Sequence, residues 1–259
     1  MRIYNADTSN YSEKQRHVVA ESATAAGLAK VYLWFGLGIL LTGAMCIGWP
    51  YLMLAVSGHD ADTFSSAYMI SLIVFLVLLI PLGVAVSFSG LSKHSAVIKT
   101  FYILYSICMG GALSTITLAF DYDLLLYAFI VTALSFLLMA GIGYWTKGKV
   151  GRALPFLLAF IFGMMLISLF NFLLLPLLPT YNASQTVVYW ITSVLILAVY
   201  MILAAVDTNR VLRIAQAKGF ENGDTLAVYC AYELYADFVI IFIYILRFVS
   251  IFAGSRRSK

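Results

Sequence analysis

The sequence predicts an all-α membrane protein of seven transmembrane helices, and two observations carry that prediction. Of the 259 residues, 63% are hydrophobic and 11% are charged, and the mean hydropathy is +0.95. Soluble domains carry about 25% charged residues, so a water-soluble enzyme is excluded, and so is disorder, which needs low hydrophobicity and high charge. The charges are also clustered, which leaves uncharged runs of helix-spanning length rather than the alternating segments of about ten residues typical of a β-barrel.

Five uncharged runs account for six of the predicted spans, since a helix crosses a bilayer with about 20 apolar residues. The runs fill residues 31–59, 63–92, 100–120, 124–146 and 153–206. The first four hold one span each. The fifth holds two, joined by a turn from Leu178 to Ser184, because prolines discourage helix there and the polar residues suit a turn.

The seventh predicted span covers about residues 226–253 and is long enough to cross, although it contains charged residues. A crossing places the basic tail, residues 254–259, outside the cell, against the usual preference of basic residues for the cytoplasmic side. The alternative is a segment that dips into the membrane and returns. The length of the segment favours crossing.

Basic residues predict the orientation of the chain. Twelve of them lie in the N-terminal segment and in the loops after spans two, four and six, namely Arg2, Lys14, Arg16, Lys30, Lys93, Lys99, Lys147, Lys149, Arg152, Arg210, Arg213 and Lys218. The opposite loops hold none and carry Asp60, Asp62, Asp121 and Asp123. We therefore expect a cytoplasmic N-terminal segment (residues 1–28), a seven-helix transmembrane domain (29–253) surrounded by lipid, and a short basic tail (254–259).

Ionisable residues inside spans are the candidate functional residues, because each costs roughly 2.5–3.5 kcal/mol to insert. Asp207 closes span six, Asp237 lies in span seven, and Glu233 stands one turn before Asp237 on the same face. Arg247 follows Asp237 by ten residues, about 15 Å along a helix. The alternative interpretations are a carboxylate among wet headgroups for Asp207 and a structural ion pair with a lysine or Arg247 for Asp237.

Two carboxylates that meet in a low-dielectric site share a proton, because both cannot ionise cheaply. Asp207 and Asp237 therefore suit a proton switch, a ligand pair for a divalent cation such as calcium, or both in competition. Glu233 would add a third ion or proton ligand.

No recognisable enzyme motif accompanies these residues. The residues before Asp237 are Leu-Tyr-Ala, not the Gly-x-Gly that precedes an intramembrane protease aspartate. Cys46, Cys108 and Cys230 lack metal-site spacing and are expected to be buried small residues. We expect no enzyme activity, no cofactor and no nucleic-acid partner.

Four short motifs resemble the transmembrane Bax inhibitor motif family, in its Bax inhibitor one-like, bacterial-type form. Residues 234–238 with Arg247 resemble the family's closing signature, with the same spacing of ten from Asp237 to Arg247. Residues 206–209 (Val-Asp-Thr-Asn) resemble its motif at the end of span six. Residues 143–147 (Gly-Tyr-Trp-Thr-Lys) and 30–32 (Lys-Val-Tyr) resemble its steps after span four and before span one.

The resemblance implies a central seventh helix wrapped by two three-helix layers. It also implies a calcium leak gated by a pair of aspartates that senses pH, and these carry over as Asp207 and Asp237. Some bacterial relatives engage that pair with an arginine on span two; here span two has none, and Lys93 is the possible substitute. Glu233 is a further departure, since relatives often have a neutral residue there.

Two functions follow as hypotheses. The first is a pH-sensitive calcium leak channel, with calcium and protons as its ligands. The second is a membrane regulator that acts through a membrane protease or a cell-death or stress partner, with the N-terminal segment as its binding part. A proton-coupled transporter is a third, lesser possibility. The short N-terminal segment and tail favour a bacterial inner membrane over the endoplasmic reticulum.

Overall fold

The structure is a computed structural model that describes the backbone of residues 4–58, 60–90, 95–145, 182–218 and 224–257. Side chains are described for residues 25–58, 60–90, 95–145, 191–216 and 225–250. The described chain is all-helical, as predicted. Its six helices are α1 (Tyr4–Val56), α2 (Ala61–Ser89), α3 (Ser95–Ala119), α4 (Tyr122–Trp145), α5 (Asn182–Lys218) and α6 (Asp224–Arg257).

All six helices are long and apolar enough to cross a membrane. Helices α1 to α4 correspond to the first four predicted spans, and α5 and α6 correspond to the sixth and seventh. The predicted fifth span lies outside the described residues, so the count of seven and the central position of the last helix stay predictions. Helix α6 runs unbroken over 34 residues, whereas a segment that dips in and returns would have to break.

Two helix boundaries differ from the sequence-based expectation. Helix α5 begins at Asn182, inside the segment expected to be a turn, because asparagine and serine are favoured at helix starts as well as in turns. Helix α1 begins at Tyr4 and continues without a break into the first span. The polar N-terminal segment is therefore helical, which its composition did not indicate.

The start of α2 shows how a short loop is fixed. The Asp60 carboxylate accepts hydrogen bonds from the Thr63 hydroxyl at 2.5 Å and from the Thr63 backbone N–H at 3.1 Å, which caps the helix. Those bonds lower the pKa of Asp60 below its ordinary value. The cap is therefore intact at neutral pH, and its contribution is lost as acid protonates the carboxyl. Gly58 precedes it with a φ of 62°, a conformation that glycine adopts without strain.

The chain forms two compact units. The first contains α1, α2 and α3, the end of α5 from Val211 and the start of α6 to Tyr235. The second contains α4, α5 to Arg210 and α6 from Ala236.

Within the first unit, α1 and α3 approach closely along a stripe of small residues. Ser106, Gly110 and Ser114 recur every fourth residue of α3, and all three are buried. A Cβ added to Gly110 would lie 2.5 Å from the Thr42 carbonyl oxygen of α1. The stripe lets the two backbones touch, which is how transmembrane helices associate without a hydrophobic driving force.

Candidate functional site

Asp207 on α5 and Asp237 on α6 are brought together in the second unit, where their carboxyl groups lie within reach of a hydrogen bond to each other. Asp237 is 4% exposed and Asp207 is half-buried. A carboxylate only accepts hydrogen bonds, so this bond requires a proton on one member. The two groups are thus placed where neighbouring carboxyls favour sharing one proton.

The surroundings of the pair include one cation and one phenol on α5. Arg210 lies one turn beyond Asp207, and its charge acts on that carboxyl. Tyr200 lies two turns before Asp207 and is electrostatically coupled to Asp237. Neither residue was predicted from the sequence to neighbour the pair, although their spacings of three and seven from Asp207 place them on its face of the helix.

The other predicted site residues are not all gathered at the pair. Glu233 is half-buried one turn before Asp237 on α6. Arg247 donates from Nη1 to the Ser193 hydroxyl of α5 at 3.1 Å and lies 5.8 Å from the Tyr244 ring centroid. Its ten-residue separation from Asp237 is about 15 Å along the helix, too far for a direct ion pair. Lys93 lies outside the described residues.

Metal-binding groups are sparse in the described chain, where no three His, Cys, Asp or Glu side chains gather closely enough to hold an ion. The pair itself supplies two carboxyl groups, whereas calcium takes six to eight oxygen ligands. Further ligands would have to be carbonyl or water oxygens. The three cysteines form no disulfide with one another; Cys108 and Cys230 are buried as predicted, and Cys46 is partly exposed.

A tyrosine cluster, formed by Tyr102, Tyr105, Tyr232 and Tyr235, occupies the first unit. The rings meet edge to face, with centroids 5.2–6.4 Å apart. The cluster was not predicted from the sequence, although the same Tyr-x-x-Tyr spacing on spans three and seven was a signal. The cluster fixes the start of α6, just before the segment that carries Asp237.

One hydrogen-bonded chain extends from this cluster to α1. The Thr42 hydroxyl donates its single proton to the Ser106 carbonyl oxygen at 3.0 Å. The Tyr235 hydroxyl lies 2.5 Å from the Thr42 oxygen and must therefore be the donor of that bond. Tyr235 is fully buried, so both bonds are sheltered from lipid and water.

Comparison with known proteins agrees with the resemblance that the motifs indicated. The family model described as "Inhibitor of apoptosis-promoting Bax1" matches residues 24–255. The chain belongs to the Bax inhibitor family. The match includes the carboxyl pair, the tyrosine cluster and all of the described membrane-spanning segments.

Several bacterial membrane proteins are similar to this Bax inhibitor family member. The inner membrane protein YbhL of Escherichia coli K12 is 28% identical over 234 residues, covering 89% of this chain and 92% of YbhL. An uncharacterized membrane protein of Streptococcus pyogenes serotype M1 is 27% identical over 227 residues, covering 85% and 90%. The protein YrjE of Lactococcus lactis is 25% identical over 233 residues, covering 89% and 93%. No solved structure matches the chain significantly.

Proposed function

We propose that this membrane protein is a pH-sensitive calcium leak channel whose gate is the pair formed by Asp207 and Asp237. The observation that carries the proposal is that the two carboxyls lie within reach of a hydrogen bond to each other. It joins two helices that are each long and apolar enough to cross a membrane. Membership of the Bax inhibitor family supports the same function through the motifs that contain both residues.

In the closed state, the pair holds one proton and the hydrogen bond ties α5 to α6. A charge-assisted bond of this kind is about twice as strong as a neutral one. Breaking it inside a low-dielectric site would leave a buried carboxyl without its partner, which is costly.

In the open state, both carboxyls are ionised and repel each other. Repulsion separates α5 from α6 and leaves two negative charges facing the gap, which attract a divalent cation. Flux therefore rises as the pH rises. The charged and titratable groups that modulate this step are Arg210 and Tyr200 on α5 and Glu233 on α6.

Calcium is the transported ion in this proposal. Calcium sites gain affinity with the number of charged ligands, and two carboxylates with carbonyl or water oxygens make a weak site. A weak site suits a leak pathway, because a conducting ion must leave as readily as it enters.

The surroundings of the channel are lipid, and the setting we propose is a bacterial inner membrane with a cytoplasmic N-terminus. Large apolar side chains point outward, among them Leu33, Ile80 and Trp145, which are 72%, 73% and 81% exposed. The relative YbhL is named an inner membrane protein. Twelve basic residues on one set of loops support the orientation.

Calcium uptake into proteoliposomes tests the proposal. Purified full-length protein should conduct calcium at about pH 8 well above empty liposomes and much less at about pH 6. Asp123→Asn is the matched control, since it removes an exposed aspartate at the start of α4 and should leave the flux unchanged. Flux equal to empty liposomes at every pH rejects the channel and leaves the regulator hypothesis.

A further inference from the structure

Helices α4 and α5 touch backbone to backbone close to the carboxyl pair. The Asn209 side-chain amide donates from Nδ2 to the Gly143 carbonyl oxygen of α4 at 2.6 Å. A Cβ added to Gly143 would overlap the Ala205 carbonyl oxygen of α5. Asn209 and Ala205 are 1% and 3% exposed, so the contact is buried. We call these contacts of Asn209 and Ala205 with Gly143 the clasp. It joins two of the motifs through which the family is identified, the one ending span four and the one ending span six.

The clasp fixes which way Asp207 faces. Ala205 and Asn209 are four residues apart and therefore lie on one face of α5, the face against α4. Asp207 is two residues from each, a rotation of about 200° around the helix axis. Because Ala205 and Asn209 are held against α4, Asp207 lies on the opposite face of α5, where it meets Asp237.

Helix α6, which carries Asp237, also packs against α4. Phe238, the next residue, packs edge to face against Phe129 and Phe136 of α4, with both pairs of ring centroids 5.7 Å apart. Helix α4 therefore holds both carboxyl-bearing helices, α6 through aromatic rings and α5 through the Asn209 amide. The amide is the directional contact of the two, because a hydrogen bond fixes rotation and ring packing tolerates it.

An asparagine at position 209 is not what protein stability alone would favour. Its other polar atom, Oδ1, is buried with no hydrogen-bond donor in the described part of the chain. A buried acceptor left unsatisfied costs about 1–3 kcal/mol. A leucine of similar size would pack at this position without that cost, so stability alone does not account for asparagine.

We propose that Asn209 is a positioning residue of the carboxyl pair. By clasping α5 to the Gly143 carbonyl, it sets the rotation of α5 that brings Asp207 into hydrogen-bonding register with Asp237. Its effect on flux rests on the proposed channel function, whereas its effect on the hydrogen bond does not. Loss of the clasp weakens the closed state and lets ions pass at acid pH.

Infrared spectroscopy at a fixed acid pH tests the positioning role without any transport. The carbonyl stretch of the protonated carboxyl, identified by its loss in Asp207→Asn, reports the strength of its hydrogen bond. In Asn209→Leu the band should move to higher frequency, as expected for a weakened bond. Thr208→Val is the matched control, since it removes a neighbouring buried hydroxyl that donates only within α5, to the Ala204 carbonyl; its band should not move.

Calcium flux on the same proteins separates the two claims. Asn209→Leu should raise flux at acid pH, so that the ratio of alkaline to acid flux falls toward one, while Thr208→Val keeps the normal ratio. An unmoved band in Asn209→Leu overturns the positioning role, even if the normal protein conducts. A moved band in a protein that conducts nothing supports the positioning role and rejects the channel. If Asn209→Leu does not fold, Asn209→Ser is tested instead, because the shorter serine side chain does not reach the Gly143 carbonyl and remains polar. The same changes in the infrared band and in flux are expected.

Discussion

The carboxyl of Asp207 on α5 lies within reach of a hydrogen bond to the carboxyl of Asp237 on α6. Both residues belong to one compact unit, and Asp237 is almost completely buried. A proton must be shared for that bond to form. The bond is therefore present or absent according to the protonation of the pair, which is the property that a pH-controlled gate requires.

Arg210→Gln should shift the pH dependence of calcium flux to more alkaline pH. The Arg210 charge acts on Asp207 and favours its ionised form. Without that charge, a higher pH is needed to ionise the pair. Flux profiles of purified variants measure the shift. Arg213→Gln removes an exposed positive charge from the same helix and should leave the midpoint in place; equal shifts in both variants would show a general charge effect instead.

Gly143→Ala should destabilise the protein by about 1–3 kcal/mol, the usual cost of forcing an extra group into a packed site. The added methyl overlaps the Ala205 carbonyl and pushes α5 away from α4. Gly141→Ala lies on the same helix, where no heavy atom of the described chain comes within 4 Å of the added Cβ. That variant should be neutral or stabilised by up to about 1 kcal/mol through helix propensity. Unfolding in mixed micelles compares the two, and an equal response would contradict the close α4–α5 contact.

Thr42→Val should cost about 1–3 kcal/mol of unfolding free energy. It removes the acceptor of the Tyr235 hydroxyl and the donor to the Ser106 carbonyl, both buried, so two polar groups lose a partner. Thr100→Val is the control, because Thr100 is exposed and donates only to Ala96 of its own helix; its change should stay within about 0.5 kcal/mol. A Thr42→Val protein as stable as the unchanged one would mean that this hydrogen-bonded chain contributes little.

The two chain ends should lie on opposite sides of the membrane. Seven crossings with a cytoplasmic N-terminus would put the tail (residues 254–259) outside, despite its three basic residues. Alkaline phosphatase fused there should be active in a bacterial host, while a fluorescent protein fused at the N-terminus should fluoresce. Two further fusions calibrate the assay. The fusion after Asp121 is predicted to be external, and the fusion after Trp145 is predicted to be cytoplasmic. Both chain ends on one side would require an even number of crossings.

Much of the fold follows from composition, because lipid leaves few alternatives. Long uncharged runs must become helices that satisfy their own backbone groups, so α1 to α4 were predictable. The stripe of Ser106, Gly110 and Ser114 can also be read in the sequence, and small residues at that spacing are typical of membrane helices that pack closely. The helical N-terminal segment was not predictable in this way, because its polar residues carry no membrane signal and helix α1 simply continues through them.

The carboxyl pair could be predicted since ionisable groups are rare and costly inside spans. Its surroundings could not, because they depend on contacts between distant residues. The bond from Asn209 to Gly143 joins positions 66 apart, and nothing in either local sequence specifies the partner. The charge of Arg247 suggested a partner for Asp237, and the contact that the structure shows for its guanidinium is a hydrogen bond to Ser193 of α5.

Calcium flux through the Asp207→Asn/Asp237→Asn double variant tests the gate most directly. Asparagines can still hydrogen-bond to each other but cannot ionise, so α5 and α6 stay joined at every pH. Across about pH 6 to 8, the unchanged protein should show flux that rises with pH, and the double variant should show a flat profile near the acid level. A double variant that keeps the normal rise with pH would contradict the gate and place the pH-sensing group elsewhere in the chain.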